Sequence, residues 1–132
     1  LKPGGRIAFS TWPPELIIGR MFALISSYLP PPANVAPPPA WGDMHVVRQR
    51  LGTGVRDLRF DRDEMSIPAL SPQHFRGSIE LTLGPAIKLV KSLQGDPAKL
   101  AQFRSELDAL IGQFFTHNRV RQSYLMTRAT RI

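Results

Sequence analysis

Pro3-Gly4-Gly5 followed, after Arg6, by the apolar run Ile7-Ala8-Phe9 constrains this chain more than any other stretch. A proline-glycine turn leading at once into buried-type residues is how an α/β unit passes from a helix into a central strand. The reading is a strand over 6–11, with nothing ahead of it in the chain to pair with. The expectation is therefore a piece of a larger protein. At 132 residues the chain has the length of one domain and can bury a working core. No stretch approaches the roughly 18 consecutive apolar residues of a transmembrane helix. The absence of cysteine excludes disulfides, thiolate metal sites and a cysteine nucleophile, and suits a reducing, cytoplasmic setting.

Charge narrows the partners. Lys and Arg number 17 against 10 acids, a net charge of +7. Between Arg56 and Glu64 the basic residues alternate with Asp57, Asp61 and Asp63, so that segment is nearly neutral. Only the tail carrying Arg119, Arg121, Arg128 and Arg131 is unopposed. A nucleic-acid footprint clusters its basic residues on one face with aromatics between them. The scattered pattern here reads instead as a solvated basic surface, with a basic entrance for an anionic ligand as the alternative.

Along the chain, Pro13-Pro14 ends the first strand and opens a helix over 15–29. That helix is apolar over more than half its circumference, so it must be buried on two sides or line a cavity. Residues 30–39 hold six of the 13 prolines, in two triplets. They predict an extended, stiff loop spanning the rim of a site rather than an SH3-type ligand, because no basic residue flanks the core. A short helix over 41–51 follows, stopped by Gly52-Thr53-Gly54, and then a strand over 55–60. Ser71-Pro72 and Asp96-Pro97 are cap-and-proline helix starts. The first of these helices runs towards Ser92 with a break at Gly84-Pro85. The second carries Leu100, Phe103, Leu107, Leu110, Ile111, Phe114 and Phe115 at helical spacing. A strand over 123–130 closes an α/β chain.

Motifs for chemistry are few. The chain has no glycine-rich phosphate loop, no G-x-S-x-G elbow and no H-x-x-x-H pair. Asp61, Asp63 and Glu64 lack cation-loop spacing, with Arg62 between them, so no metal site is expected. His117 is read as capping the long helix and His74 as a surface residue of a helix first turn. His45, beside the proline-rich rim, is the histidine best placed to face a ligand, although it has no orienting partner. Trp12 stands just past the carboxyl end of the first strand, where open α/β sheets bind ligands. Phe22, Tyr28 and Trp41 complete a candidate apolar wall.

These residues together resemble the C-terminal half of a class I S-adenosylmethionine-dependent methyltransferase of the ubiquinone/menaquinone-biosynthesis-like type (methyltransferase type 11). Leu1-Lys2-Pro3-Gly4-Gly5 with Arg6 to Trp12 is similar to that family's turn and fifth strand. Tyr28-Leu29-Pro30-Pro31-Pro32 with Trp41-Gly42 is similar to the substrate-side insertion, and Tyr124-Leu125 with Thr127-Arg128-Ala129 to the closing seventh strand. The resemblance spans essentially all of 1–132. It implies one domain: the C-terminal part of a Rossmann-like seven-stranded sheet, with three strands and flanking helices, and with the last strand antiparallel between the other two. It implies methyl transfer to a small-molecule acceptor by direct displacement in the parent protein. S-adenosylmethionine would be held by the absent N-terminal half and not by this chain alone. Trp12, Phe22 and Trp41 would be substrate-pocket walls, and His45 a candidate base or polar contact. The flank of strand 6–11 left open by the missing half predicts a homodimer or another association there. The alternative is a stand-alone α/β module that binds a ligand or partner without catalysis.

Overall fold

The computed structural model describes residues 1–35 and 38–132, so Ala36 and Pro37 of the proline-rich loop lie outside the described residues. Strand β1 (Arg6–Thr11) leads into helix α1 (Ile17–Tyr28). A 3-10 turn (Pro38–Gly42) precedes helix α2 (Met44–Leu51), and a short 3-10 segment (Gly52–Gly54) leads from it into strand β2 (Val55–Pro68). Helices α3 (Pro72–Thr82), α4 (Gly84–Ser92) and α5 (Pro97–Gly112) come next, then the two-residue strand β3 (Phe115–Thr116) and the long strand β4 (Arg119–Arg131).

The sheet order is β1-β4-β2, with β3 paired to β4. Every pairing is antiparallel. Strands β1 and β2 therefore run parallel to each other, separated by β4. The architecture is mixed α/β, with five helices and a four-stranded antiparallel sheet among the described residues. This is not in itself a seven-stranded Rossmann-like sheet, and the last strand lies antiparallel between β1 and β2, as expected. This pattern is set by β4. It enters between the two strands joined by the helical crossover, with the opposite direction, so no parallel ladder forms among the described residues.

The two faces of the sheet are covered at opposite ends. Val120 and its partner Ile67 face the main core, built from Ile17, Met21, Phe103, Leu107 and Ile111 of α1 and α5 with Leu89 of α4. Odd positions of β4 point the other way. Leu125, Thr127 and Ala129 are buried there, and Phe9 and Phe60 both pair with Thr127. Arg48 of α2 stacks over Phe60, with 4.8 Å between the guanidinium carbon and the ring centroid, and the Trp41 ring meets Phe9 edge-on at 5.9 Å. Helix α2 thus closes a second, smaller core around Val47, which is fully buried.

Local chemistry sets the helix starts. Ser71 accepts from the His74 N–H at 3.0 Å and Asp96 from the Lys99 N–H at 3.0 Å, each followed by proline in the first turn. Pro85 cannot donate, so α3 and α4 break at Leu83, whose N–H bonds back to Ile79 and whose carbonyl accepts from Ile87. Helices α3 and α5 are tied by ions. Arg104 bonds both oxygens of Glu80 at 2.9 and 2.7 Å, while Arg76 reaches Glu80 at 2.9 Å and Asp108 at 2.7 Å. Burial pushes the Glu80 carboxyl up, but the hydrogen bonds and charges of Arg104 and Arg76 outweigh it and hold the group below the usual carboxylate range. For Arg76 burial disfavours the charge, and Asp108 and Glu80 more than restore it.

Three expectations need correction. The last helix ends at Gly112, so His117 caps nothing. It sits with Asn118 in the β3–β4 hairpin turn, both at positive φ (50° and 56°). Trp41 belongs to the 3-10 turn and not to α2, which starts at Met44 behind an Asp43 cap. The second and last strands are longer than predicted, reaching Pro68 and starting at Arg119. No helix among the described residues is long and apolar enough to cross a membrane.

Candidate functional site

A cavity of about 800 Å³ opens where α1, the proline-rich segment, α2 and α4 converge. Phe22, Ile25, Ser26 and Leu29 recur at helical spacing, so one stripe of α1 forms a wall. Pro30, Pro31 and Pro32 carry the chain off the end of α1 and across the rim. Pro38 and Pro39 of the 3-10 turn and Val46 of α2 close the next side. Gly84, Pro85 and Lys88 of α4 supply the last. Seven of the lining residues are prolines. Each lacks a backbone N–H, so the wall is rigid and poor in hydrogen-bond donors.

Two glycines permit this convergence. A Cβ on Gly19 would collide with the backbone of Pro13 and Pro14, so the residue lets the chain leaving β1 cross directly over α1. A Cβ on Gly42 would meet Pro13 N at 2.7 Å and the Trp12 carbonyl closer still. The 3-10 turn is thereby seated on the end of β1, where Thr11 Oγ1 donates to the Trp41 carbonyl at 2.8 Å.

The charged groups at the wall are Asp43 and Lys88. Asp43 Oδ1 accepts the N–H groups of His45 and Val46 at 2.7 and 3.3 Å, so its charge is engaged with the start of α2. Lys88 is exposed and makes no salt bridge among the described residues. On the side of α1 towards α5, Tyr28 packs edge-on to Phe103 at 5.4 Å, and burial, then the Glu106 carboxylate, push its phenol up.

The structure separates the residues that sequence reasoning grouped. Phe22 lines the cavity. Trp12 is half-buried against the main core, outside the wall. Trp41 lies on the α2 side, its ring under the Arg50 guanidinium at 4.6 Å. His45 is exposed in the first turn of α2 and is not among the lining residues. The contribution of α4 was not anticipated: Gly84-Pro85 reads in sequence only as a helix break, and nothing local marks Lys88 one turn later. Among the described residues no cluster of three or more histidines and acids forms a candidate metal site.

No family model matches the chain. It is similar to uncharacterized proteins of Mycobacterium tuberculosis (Rv1403c of strain H37Rv and MT1447 of strain CDC 1551 / Oshkosh) and of Mycobacterium bovis (Mb1438c). Each is 25% identical over 130 residues, which cover 97% of this chain and 47% of the relative. The chain spans about half the length of the curated relatives it matches.

Proposed function

We propose that this chain is the acceptor-side part of an S-adenosylmethionine-dependent methyltransferase, and that its cavity holds the body of a small-molecule methyl acceptor. The observation that supports the reading is the sheet order: an antiparallel strand, β4, inserted between β1 and β2, which share a direction. This is the arrangement the resemblance implies for the last three strands of that family's sheet. On this reading, the rest of such a sheet, including a strand to pair with the open flank of β1, would come from a longer chain.

The edges of the sheet agree with that reading. The other edge strand, β2, is protected by charge, with Asp61, Arg62, Asp63 and Glu64 all exposed. Strand β1 offers only Arg6 before Ala8 and Ser10. Its open flank is suited to a further strand, from a longer chain or from a second copy in a homodimer.

The described residues do not fit the cofactor itself. The turn after β1 is Trp12-Pro13-Pro14, which presents almost no N–H groups, and Asp43 is already bonded to α2. The chain's own part is to hold the acceptor against an apolar, proline-rich wall, where orientation supplies rate once a methyl donor is at hand.

Calorimetry with S-adenosylmethionine tests the proposal on two proteins. A longer protein that contains this chain after a strand, a glycine-rich turn and an acidic residue binds it, and residues 1–132 alone do not. Micromolar binding to 1–132 refutes the division of labour; a longer protein that neither binds nor methylates refutes the methyltransferase reading. A second reading, a ligand-binding module without catalysis, is favoured by one fact: described residues from four elements of this chain alone already line the cavity.

A further inference from the structure

We infer that the cavity selects an anionic amphiphile: an apolar body against α1 and the prolines, with a carboxylate or similar anion at Lys88. As a statement about a methyl acceptor this rests on the proposed function; as a statement about what the cavity binds it does not. The walls exclude other classes. With seven prolines among the lining residues, a ligand rich in acceptors finds few N–H partners and loses hydration without compensation. The apolar stripe of Phe22, Ile25 and Leu29 rewards hydrocarbon or ring surface instead. A volume of about 800 Å³ is within the range of small-molecule sites.

Charge then fixes the head group. Asp43 is turned to the N–H groups of His45 and Val46, which leaves Lys88 as the unopposed charge on the wall. Lys88 stands one turn into α4, whose first residues, Gly84 and Pro85, also line the cavity. The helix dipole and the ammonium act in the same sense and favour an anion. A cationic head would meet both unfavourably.

The experiment is calorimetric titration of residues 1–132 with dodecanoate and with dodecyltrimethylammonium, each below its micelle concentration. Dodecanoate is expected to bind at least about tenfold more tightly, and Lys88→Gln to weaken it about tenfold, a difference of about 1.4 kcal/mol. Lys88→Arg retains binding. Lys91→Gln on the same helix removes the same net charge away from the wall and leaves dodecanoate affinity unchanged, which separates the site from the general pull of a +7 chain. Ala23→Trp, placed on the exposed part of the α1 wall, blocks dodecanoate with the circular dichroism spectrum intact. Equal affinity for the two amphiphiles, no binding of either, or an affinity indifferent to Lys88→Gln overturns the inference. Methyl transfer by the longer protein without dodecanoate binding overturns the anionic class alone. Dodecanoate binding without methyl transfer leaves the ligand site standing and removes only its role as acceptor pocket.

Discussion

Replacing Gly42 by alanine tests whether the 3-10 turn is truly seated on the end of β1. The new Cβ meets Pro13 N at 2.7 Å and the Trp12 carbonyl closer still, and both obstacles are backbone. No side-chain rotation relieves such a clash, so the turn must retreat by about an ångström in a close-packed region. That retreat stretches the 2.8 Å bond from Thr11 Oγ1 to the Trp41 carbonyl and the edge contact of Trp41 with Phe9. Overpacking costs about 1–3 kcal/mol, a lost hydrogen bond about 1 kcal/mol and a lost aromatic pair about 0.5–1 kcal/mol, with partial overlap between them. The expected loss is about 2–4 kcal/mol. Asp43, next in the chain, caps α2 and lines the cavity, so ligand affinity should fall with stability. Urea unfolding followed by far-ultraviolet circular dichroism measures the first effect, and near-ultraviolet circular dichroism of the tryptophans reports the second core. A Gly42→Ala midpoint within about 0.5 kcal/mol of the parent, with the tryptophan signal unchanged, would refute this packing.

Three further substitutions probe separate features. Gly77 lies inside α3 with open space around it, so Gly77→Ala should stabilise by about 0.5–1 kcal/mol in the same unfolding assay, and destabilisation would contradict the helix assignment. Thr127 is fully buried and its Oγ1 has no hydrogen-bond partner, so Thr127→Val should raise stability by about 1 kcal/mol; a loss larger than that would reveal a partner for the hydroxyl. Glu80 has a lowered folded-state pKa, so its stabilisation is complete above the unfolded carboxylate value of about 4.3 and is lost as pH falls through the folded value. Glu80→Gln should cost about 1–3 kcal/mol at neutral pH, because the Glu80 side chain is only 11% exposed, and should flatten the acid limb of the stability profile; an unaltered limb would assign acid sensitivity elsewhere.

What was legible in the sequence was whatever local chemistry decides alone. Ser71-Pro72 and Asp96-Pro97 mark helix starts because the cap oxygen and the missing proline N–H both act within one turn, and the structure begins α3 and α5 there. Strand β1 follows from its turn and apolar run. The strand ends were not legible. Asp61 to Ser66 of β2 are exposed throughout, since this edge strand beyond the small core needs no alternation. Only pairing with β4 defines it, and pairing is non-local. Phe114 and Phe115 keep the helical period of α5, yet the backbone leaves the helix after Gly112 because the tight His117-Asn118 turn lets Phe115 and Thr116 pair with β4.

The candidate site was half legible for the same reason. Phe22 reads as wall because an over-apolar helix must bury its excess surface, and Pro30 to Pro32 read as rim because a proline triplet carries the chain off the helix end. In the second triplet, Pro38 and Pro39 depart from the expected extended path, since they belong to a 3-10 turn. Trp12 and Trp41 carry the same apolar signal, but a tryptophan near a strand end can turn to either face of a sheet. Here Trp12 packs against the main core, and Trp41 stays exposed at the edge of the second one, against Phe9. Lys88 is the converse case: an exposed lysine on a helix is ordinary until the fold sets α4 against the proline-rich rim. Its significance comes from the engagement of Asp43 and the scarcity of backbone donors around it, neither of which lies near it in sequence. The chemistry that would choose a ligand is therefore carried by a residue with no motif, and the tryptophans that attract the eye hold the scaffold that presents it.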